Sequence, residues 1–366
     1  MTSQRNDEPA FAAARERFAA LTDAAIAEYL RQHPVGSEHL RRAAETYVER
    51  PAKRLRPAIL MLACGAAGGE VSQSVPAAAA VELFHTWTLV HDDIIDNDPV
   101  RRGAPTVHCE AARWARECFG VGGSKADEYG RDMAILAGDL QQGWAVALLL
   151  GCLERGVSPA VVLDMVRGMT AWLTPKLLEG EALDVQLSLR PFTDLSSADI
   201  LRMMELKTGV LLEYAARCGA AIGSNGTLWD SPVADALGVF ALNCGIAFQI
   251  QDDILGLTGE ERKLGKPVGA DLREGKRTLI MLNAWRRGTQ GDRQLLTHAV
   301  GNPNLSPRTL GLVRECLVRT GAVSEACAVA EDHLGKALKA LKQLVPVSDF
   351  RDLLRAFADV MLVREF

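Results

Sequence analysis

A chain of 366 residues has room for one large domain or two ordinary ones. With 48% hydrophobic and 24% charged residues it has the balance of a globular protein with a sizeable core. A formal net charge of −5 leaves no electrostatic footprint for nucleic acid, and the eight cysteines, scattered without a CxxC, suit neither a disulfide frame nor a zinc site. The longest apolar run, 145–153, is shorter than a bilayer span, so no transmembrane segment is expected. The first residues carry neither an apolar stretch nor a cleavage site, so no signal peptide is expected and the protein is placed in the cytoplasm.

Taken in order, residues 1–10 are polar and are expected to be flexible. Helical spacing of apolar residues follows at 11–32, 38–49, 56–67 and 76–93. It resumes at 106–118, 127–155, 159–187, 197–222 and 233–257, then at 278–287, 307–320, 323–344 and 349–364. Breaks fall at 120–124, 223–226, 259–275 and 301–307, where glycine, proline and other turn-forming residues gather. Strand-like alternation is almost absent. The pattern predicts an all-α fold, with residues 11–366 forming a single large helical bundle.

The helix predicted to end near Asp93 runs into three carboxylates, Asp92, Asp93 and Asp96. Positions 92 and 96 fall on one helix face a turn apart, where like charges repel. A hard divalent cation such as Mg²⁺ takes oxygen ligands and would relieve that repulsion. A solvated acidic helix end is the plain alternative. The apolar turns before the acids (Leu83, Phe84, Trp87, Leu89 and Val90) favour the mouth of a buried region instead. A second acid pair, Asp252-Asp253, follows another apolar helix.

Basic residues gather near the breaks. Lys53 and Arg56 stand just before Pro57, and Arg101 and Arg102 follow the first acids. Lys207-Thr208-Gly209 interrupts a helix, and Lys266 and Lys276 lie in the glycine-rich break after the second acids. Each alone reads as a surface charge. Together with the acids they suit a diphosphate held between Mg²⁺ and cationic side chains, over an apolar cavity.

These residues, in this order, resemble the trans-isoprenyl diphosphate synthases, the polyprenyl synthetases. The resemblance runs from about Lys53 to Lys276. It is carried by His85, Asp92-Asp93-Ile-Ile-Asp96, Arg101-Arg102-Gly103, Lys207-Thr208-Gly209, Phe248-Gln249-Ile-Gln-Asp252-Asp253, and Lys266 with Lys276. It implies a helical bundle around a deep central cavity, a homodimer, and a head-to-tail condensation of isopentenyl diphosphate with an allylic diphosphate (dimethylallyl, geranyl or farnesyl). It further implies three Mg²⁺ ions held by Asp92, Asp93, Asp96, Asp252 and Asp253. Arg101, Lys207, Lys266 and Lys276 would bind the allylic diphosphate, with Lys276 in a flexible lid. Lys53, Arg56, His85 and Arg102 would bind isopentenyl diphosphate. Thr208 and Gln249, with Lys207, would face the reacting carbons. His85 could equally be a satisfied core histidine.

Two positions depart from the family pattern. Pro51-Ala52 precede Lys53 where two glycines are usual, and Gly256 stands where a third aspartate would complete the second motif. Competing readings remain. A class I terpene cyclase would carry an Asn/Asp, Ser/Thr, Glu motif that is not found here. A non-catalytic partner subunit would be expected to lose its aspartates, and a helical scaffold leaves the paired acids unexplained.

Product length is assigned to Trp87, Thr88 and Phe84. Trp87 lies five residues before Asp92, roughly 7.5 Å lower on the helix. Thr88 points within about 40° of Asp92, Phe84 about 80° away and Trp87 about 140° away, so Trp87 could instead be plain core. In the resembling family an aromatic residue at that position floors a short cavity. Geranylgeranyl diphosphate is therefore the expected product, ahead of farnesyl diphosphate or a longer chain.

Overall fold

The computed structural model describes residues 4–259 and 269–362. Their elements are helical apart from one two-stranded hairpin. The chain divides into two compact units. One comprises the residues up to Thr170 with Tyr214–Leu237 and Leu344–Ala356; the other comprises Ala171–Glu213, Gly238–Gln343 and the residues from Phe357.

The first unit holds α1 (Gln4–Gln32), α2 (Glu38–Glu45), α3 (Leu55–Ala66) and α4 (Val75–Ile95). The hairpin β1 (Val100–Arg101) and β2 (Ala104–Pro105) follows, then α5 (Val107–Phe119), α6 (Gly123–Leu150) and α7 (Pro159–Arg167). Helix α4 packs against α1, α3 and α6, and α6 packs also against α2 and α5. Small residues make this close approach possible: Ala77, Ala78, Ala79 and Ala80 are all fully buried in α4. Burial along α4 is nearly continuous from Val75 to Phe84, so its C-terminal turn is where polar groups can emerge. That is the turn bearing Asp92 and Asp93.

The second unit holds α8 (Thr174–Leu189), α9 (Ser197–Met204) and a π-helical turn at Glu205–Gly209. The next two helices are shared along the chain: α10 (Val210–Ser224) starts in this unit and α11 (Pro232–Thr258) ends in it. Beyond them come α12 (Ala270–Glu274), α13 (Leu279–Arg287), α14 (Gln290–Ala299), α15 (Pro307–Arg319) and α16 (Ala322–Leu344), and last α17 (Asp349–Leu362), whose residues up to Ala356 belong to the first unit. Leu187, Ile200, Met204, Ile250, Ile280, Leu296, Val313 and Leu317 belong to one apolar core there.

Helix α1 begins ahead of residue 11, and the predicted helix 159–187 is divided by a π-helical stretch, Gly168–Leu173. Helix α14 was not predicted. By length and composition alone, two helices could cross a membrane, Gly123–Arg155 and Pro232–Thr258, although neither contains a long uninterrupted apolar run. In the second, 67% of the apolar window is buried inside the protein, as befits a core helix.

Candidate active site

In the first unit, Asp92 and Asp93 occupy the last turn of α4, and Asp96 caps it. Carboxylates there face both each other and the negative end of the helix dipole, two unfavourable terms at once. The hairpin answers both. Its two-residue turn places Arg102 (φ 56°) and Gly103 (φ 74°) in left-handed conformations, which close a tight hairpin. Arg101 is thereby turned back over the helix end. Its Nη2 donates to Asp92 at 3.0 Å and lies 3.6 Å from Asp98, while its Nε donates to Asp93.

Asp93 is buried and receives a second donor, the hydroxyl of the fully buried Tyr47. That hydroxyl in turn accepts from the Val107 amide at 3.3 Å. Burial pushes the Asp93 carboxyl up to about 6, against the pull of Arg101 and of the Tyr47 hydrogen bond. A cation bound nearby would act in the opposite direction. Asp92 and Asp96 are only partly buried.

The basic half of this unit sorts into two kinds of residue. Arg54 is buried, sits at φ 49°, and is held by Glu82, by Asp23 at 2.8 Å and by the Val48 carbonyl at 2.9 Å. Its neighbours differ: Lys53 is exposed and Arg56 half-buried. Arg56 Nη1 lies 3.0 Å from His85 Nε2. Burial, then Arg56, Arg102, Arg101 and Arg54, hold the His85 ring well below its ordinary pKa, so it is neutral and accepts from Arg56. A neutral histidine amid four guanidinium groups suits an anion better than a cation.

In the second unit, Lys207 projects from the π-helical turn onto α8. Its Nζ lies 2.9 Å from Glu181 and 2.6 Å from Asp184. Gly180 permits this approach, because a Cβ there would lie 2.4 Å from the Lys207 backbone nitrogen. Next in sequence, Thr208 donates to the Gln249 carbonyl oxygen at 2.9 Å, and the Gln249 amide nitrogen donates to Asp253 at 3.0 Å. Asp253 is buried and Asp252 half-buried. Burial, then Asp271, hold Asp253 well above the usual carboxylate range; Gln249 opposes the shift, and Asp252 and Asp184 add to it. A Cβ on Gly256 would lie 3.0 Å from Asp271, so that carboxylate stands beside the position where a third motif aspartate is absent. Lys276 lies 3.3 Å from Glu274. Lys266 falls outside the described residues.

Sequence reasoning passed over Tyr47, Arg54, Glu82, Glu181, Asp184 and Asp271. Trp87 is buried and meets Phe84 edge-to-face at 4.8 Å between ring centres. The Thr88 hydroxyl donates to the His85 carbonyl at 2.8 Å. Among the described residues, no three His, Cys, Asp or Glu side chains converge to hold a metal ion on their own.

A mainly helical chain with Arg101 on one aspartate pair, and Lys207 on Asp184 near the other, has the mixed charge that suits diphosphate. The pattern defining the polyprenyl synthetase family matches residues 37–315. Over 345 residues the chain is 35% identical to the geranylgeranyl diphosphate synthase of Methanosarcina mazei, covering 94% of this chain and 95% of that one. The structure of geranylgeranyl pyrophosphate synthetase from Pyrococcus horikoshii superposes with a TM-score of 0.82 at 32% identity, covering 97% and 98%. Geranylgeranyl pyrophosphate synthase of Corynebacterium glutamicum, solved with isoprenyl diphosphate and magnesium, superposes at 0.84 with 27% identity, covering 96% and 99%. The chain belongs to the polyprenyl synthetase family and is a prenyltransferase. The all-α expectation holds.

Proposed function

We propose that this protein condenses isopentenyl diphosphate head-to-tail with an allylic diphosphate, and that its main product is geranylgeranyl diphosphate. The observation that carries this is Arg101 on the Asp92-Asp93 pair, with Lys207 on Asp184 close to Asp253, within a family match that spans both pairs. The candidate metal ligands are all carboxylates, the oxygen donors that Mg²⁺ takes, and few enough that phosphate and water would complete its shell. Asp92, Asp96 and Asp252 would hold the ions, three in number by family resemblance. Bound there, Mg²⁺ would neutralise charge on the leaving diphosphate.

Arg101, Lys207 and Lys276, with Lys266, bind the allylic diphosphate. Lys53, Arg56, His85 and Arg102 bind that of isopentenyl diphosphate. The allylic C1–O bond breaks and its electron pair leaves with diphosphate. The terminal carbon of the isopentenyl double bond then joins C1, and the resulting cation loses a proton to the released diphosphate. Thr208 and Gln249 turn oxygen atoms toward the positive charge while it exists. Incubation with Mg²⁺, isopentenyl diphosphate and each allylic primer in turn tests the reading. A twenty-carbon product supports it, and no consumption of isopentenyl diphosphate with any primer overturns it.

The division of roles predicts a split in kinetics. Arg102→Ala should raise the KM for isopentenyl diphosphate and Lys207→Ala that for the allylic substrate. Each loses a charge-assisted contact of about 1.5–3 kcal/mol, roughly ten- to a hundredfold. Equal changes for both substrates in both variants would cancel the division.

Trp87, backed by Phe84, is proposed to stop the growing chain. Trp87→Ala should lengthen the product, and adding Phe84→Ala should lengthen it further. Removal of a buried Trp costs about 3–5 kcal/mol, so Trp87→Leu is the milder companion. Chromatography of the products decides, and folded variants that still give only the wild-type product would move the stop to another helix.

The protein is further proposed to act in the cytoplasm as a homodimer through α6. Ile135, Leu136 and Leu150 on that helix, with Leu153 just beyond it, are exposed. An apolar row of that kind suits a second copy.

A further inference from the structure

We infer that Asp253 is a positioning residue that fixes the orientation of the Gln249 amide rather than a metal ligand, an inference that rests on the synthase reading above. Three side chains form one line in the second unit. The Thr208 hydroxyl donates to Gln249 Oε1 at 2.9 Å, and Gln249 Nε2 donates to Asp253 Oδ1 at 3.0 Å.

Gln249 is symmetric enough in shape to sit either way round, with its oxygen and nitrogen exchanged. Thr208 cannot choose between the two, since a hydroxyl both donates and accepts. Asp253 Oδ1 accepts from the NH₂ end, and this leaves the carbonyl oxygen on the Thr208 side. That orientation matters for the reaction. A carbonyl oxygen beside an allylic cation lowers its energy, whereas an NH₂ group in the same place raises it.

Burial separates the two aspartates of the pair. Asp253 and Thr208 are buried, whereas Asp252 remains partly open. Residues 249 and 253 are four apart on α11, so the helix itself aligns the carboxylate with the amide. The same commitment appears in the first unit, where Asp93 is buried against Tyr47 and Arg101 while Asp92 is partly open. In each pair the second aspartate is the more deeply buried of the two.

Asparagine and leucine at 253 separate this role from metal binding. Asparagine keeps an acceptor for the Gln249 NH₂ group, so it holds the amide in part although its own NH₂ can pair with the flipped form; it no longer carries a ligand charge, and leucine keeps neither. Asp253→Asn should leave the Mg²⁺ midpoint within about twofold of wild type, whether read from turnover or from thermal shifts with Mg²⁺ and inorganic diphosphate. Its kcat should lie well above that of Asp253→Leu, which loses about ten- to a hundredfold at an unchanged Mg²⁺ midpoint. Asp252→Asn, as the reference for a true ligand, should raise the midpoint by about tenfold or more. Thr208→Val should lower kcat, and Thr208→Ser should restore most of it, because serine keeps the hydroxyl.

Melting curves establish that each variant is folded; if Asp253→Leu is not, the Asp253→Asn midpoint and the two Thr208 variants still decide. A midpoint in Asp253→Asn displaced as far as in Asp252→Asn makes Asp253 a ligand and overturns the inference. Equal kcat in folded Asp253→Asn and Asp253→Leu also overturns it. A wild-type protein that consumes no isopentenyl diphosphate defeats the underlying synthase reading instead, which is a separate result.

Discussion

Asp92→Asn is expected to lower turnover by about a hundred- to a thousandfold while leaving stability within about 1 kcal/mol of wild type. The kinetic half follows from placing Asp92 at the partly open end of its pair, where it would hold cation and Arg101 together. The stability half follows from two opposed effects. Neutralising Asp92 relieves repulsion with Asp93 and with the negative end of α4. It also removes one of the carboxylates that grip Arg101. Charge spacing alone would favour net stabilisation, because it shows three acids and no partner. In the folded protein the hairpin has already supplied Arg101, so little repulsion is left to relieve. The checks are kcat at saturating Mg²⁺ and melting curves with and without the metal. Wild-type turnover at saturating Mg²⁺ would remove the cluster from the mechanism.

Some features are announced locally by the residues themselves. An aspartate pair after an apolar helix, or Lys-Thr-Gly breaking a helix, is a statement made within a few positions. The interruption at 207–209 proves to be a π-helical turn, a form that redirects side chains without ending the helix. The acids were legible because like charges on one helix face demand an explanation.

Their supporting partners were not. Tyr47 lies 46 positions from Asp93, Arg54 lies 28 from Glu82, and Lys207 lies 23 from Asp184. No periodicity marks which distant residue a fold will bring to a charge. The hairpin escaped because strands of two residues show no alternation. Its signal was Arg102-Gly103, a pair that reads equally well as part of a basic motif. Helix α14 escaped because Gly288 and Gly291 look like loop residues. Thr289 and Asp292, which form a capping box at its start, were the available clue.

Arg54 stands between Lys53 and Arg56 in the sequence, and the fold gives it a different task. Glu82→Ala should therefore destabilise the protein by about 3–5 kcal/mol, the usual consequence of leaving one member of a buried ion pair without the other. Arg54 and Glu82 are 3% and 2% exposed, so water cannot take over the lost contact. Asp23 remains, but its side chain is 53% exposed and its pairing with Arg54 is correspondingly weaker. Glu82→Gln, which keeps an acceptor for Arg54 without the charge, should fall between wild type and alanine. Because Arg54 anchors the turn that carries Lys53 and leads to Arg56, Glu82→Ala should also raise the KM for isopentenyl diphosphate. Lys53→Ala provides the contrast: the same KM rises while the melting temperature holds, since an exposed lysine contributes little to the fold. Chemical denaturation of the three variants, with kinetics on each, decides between anchor and ligand. If Glu82→Ala unfolds at the wild-type denaturant midpoint, the buried pair contributes nothing to the fold, and the KM change would have to arise at the substrate itself.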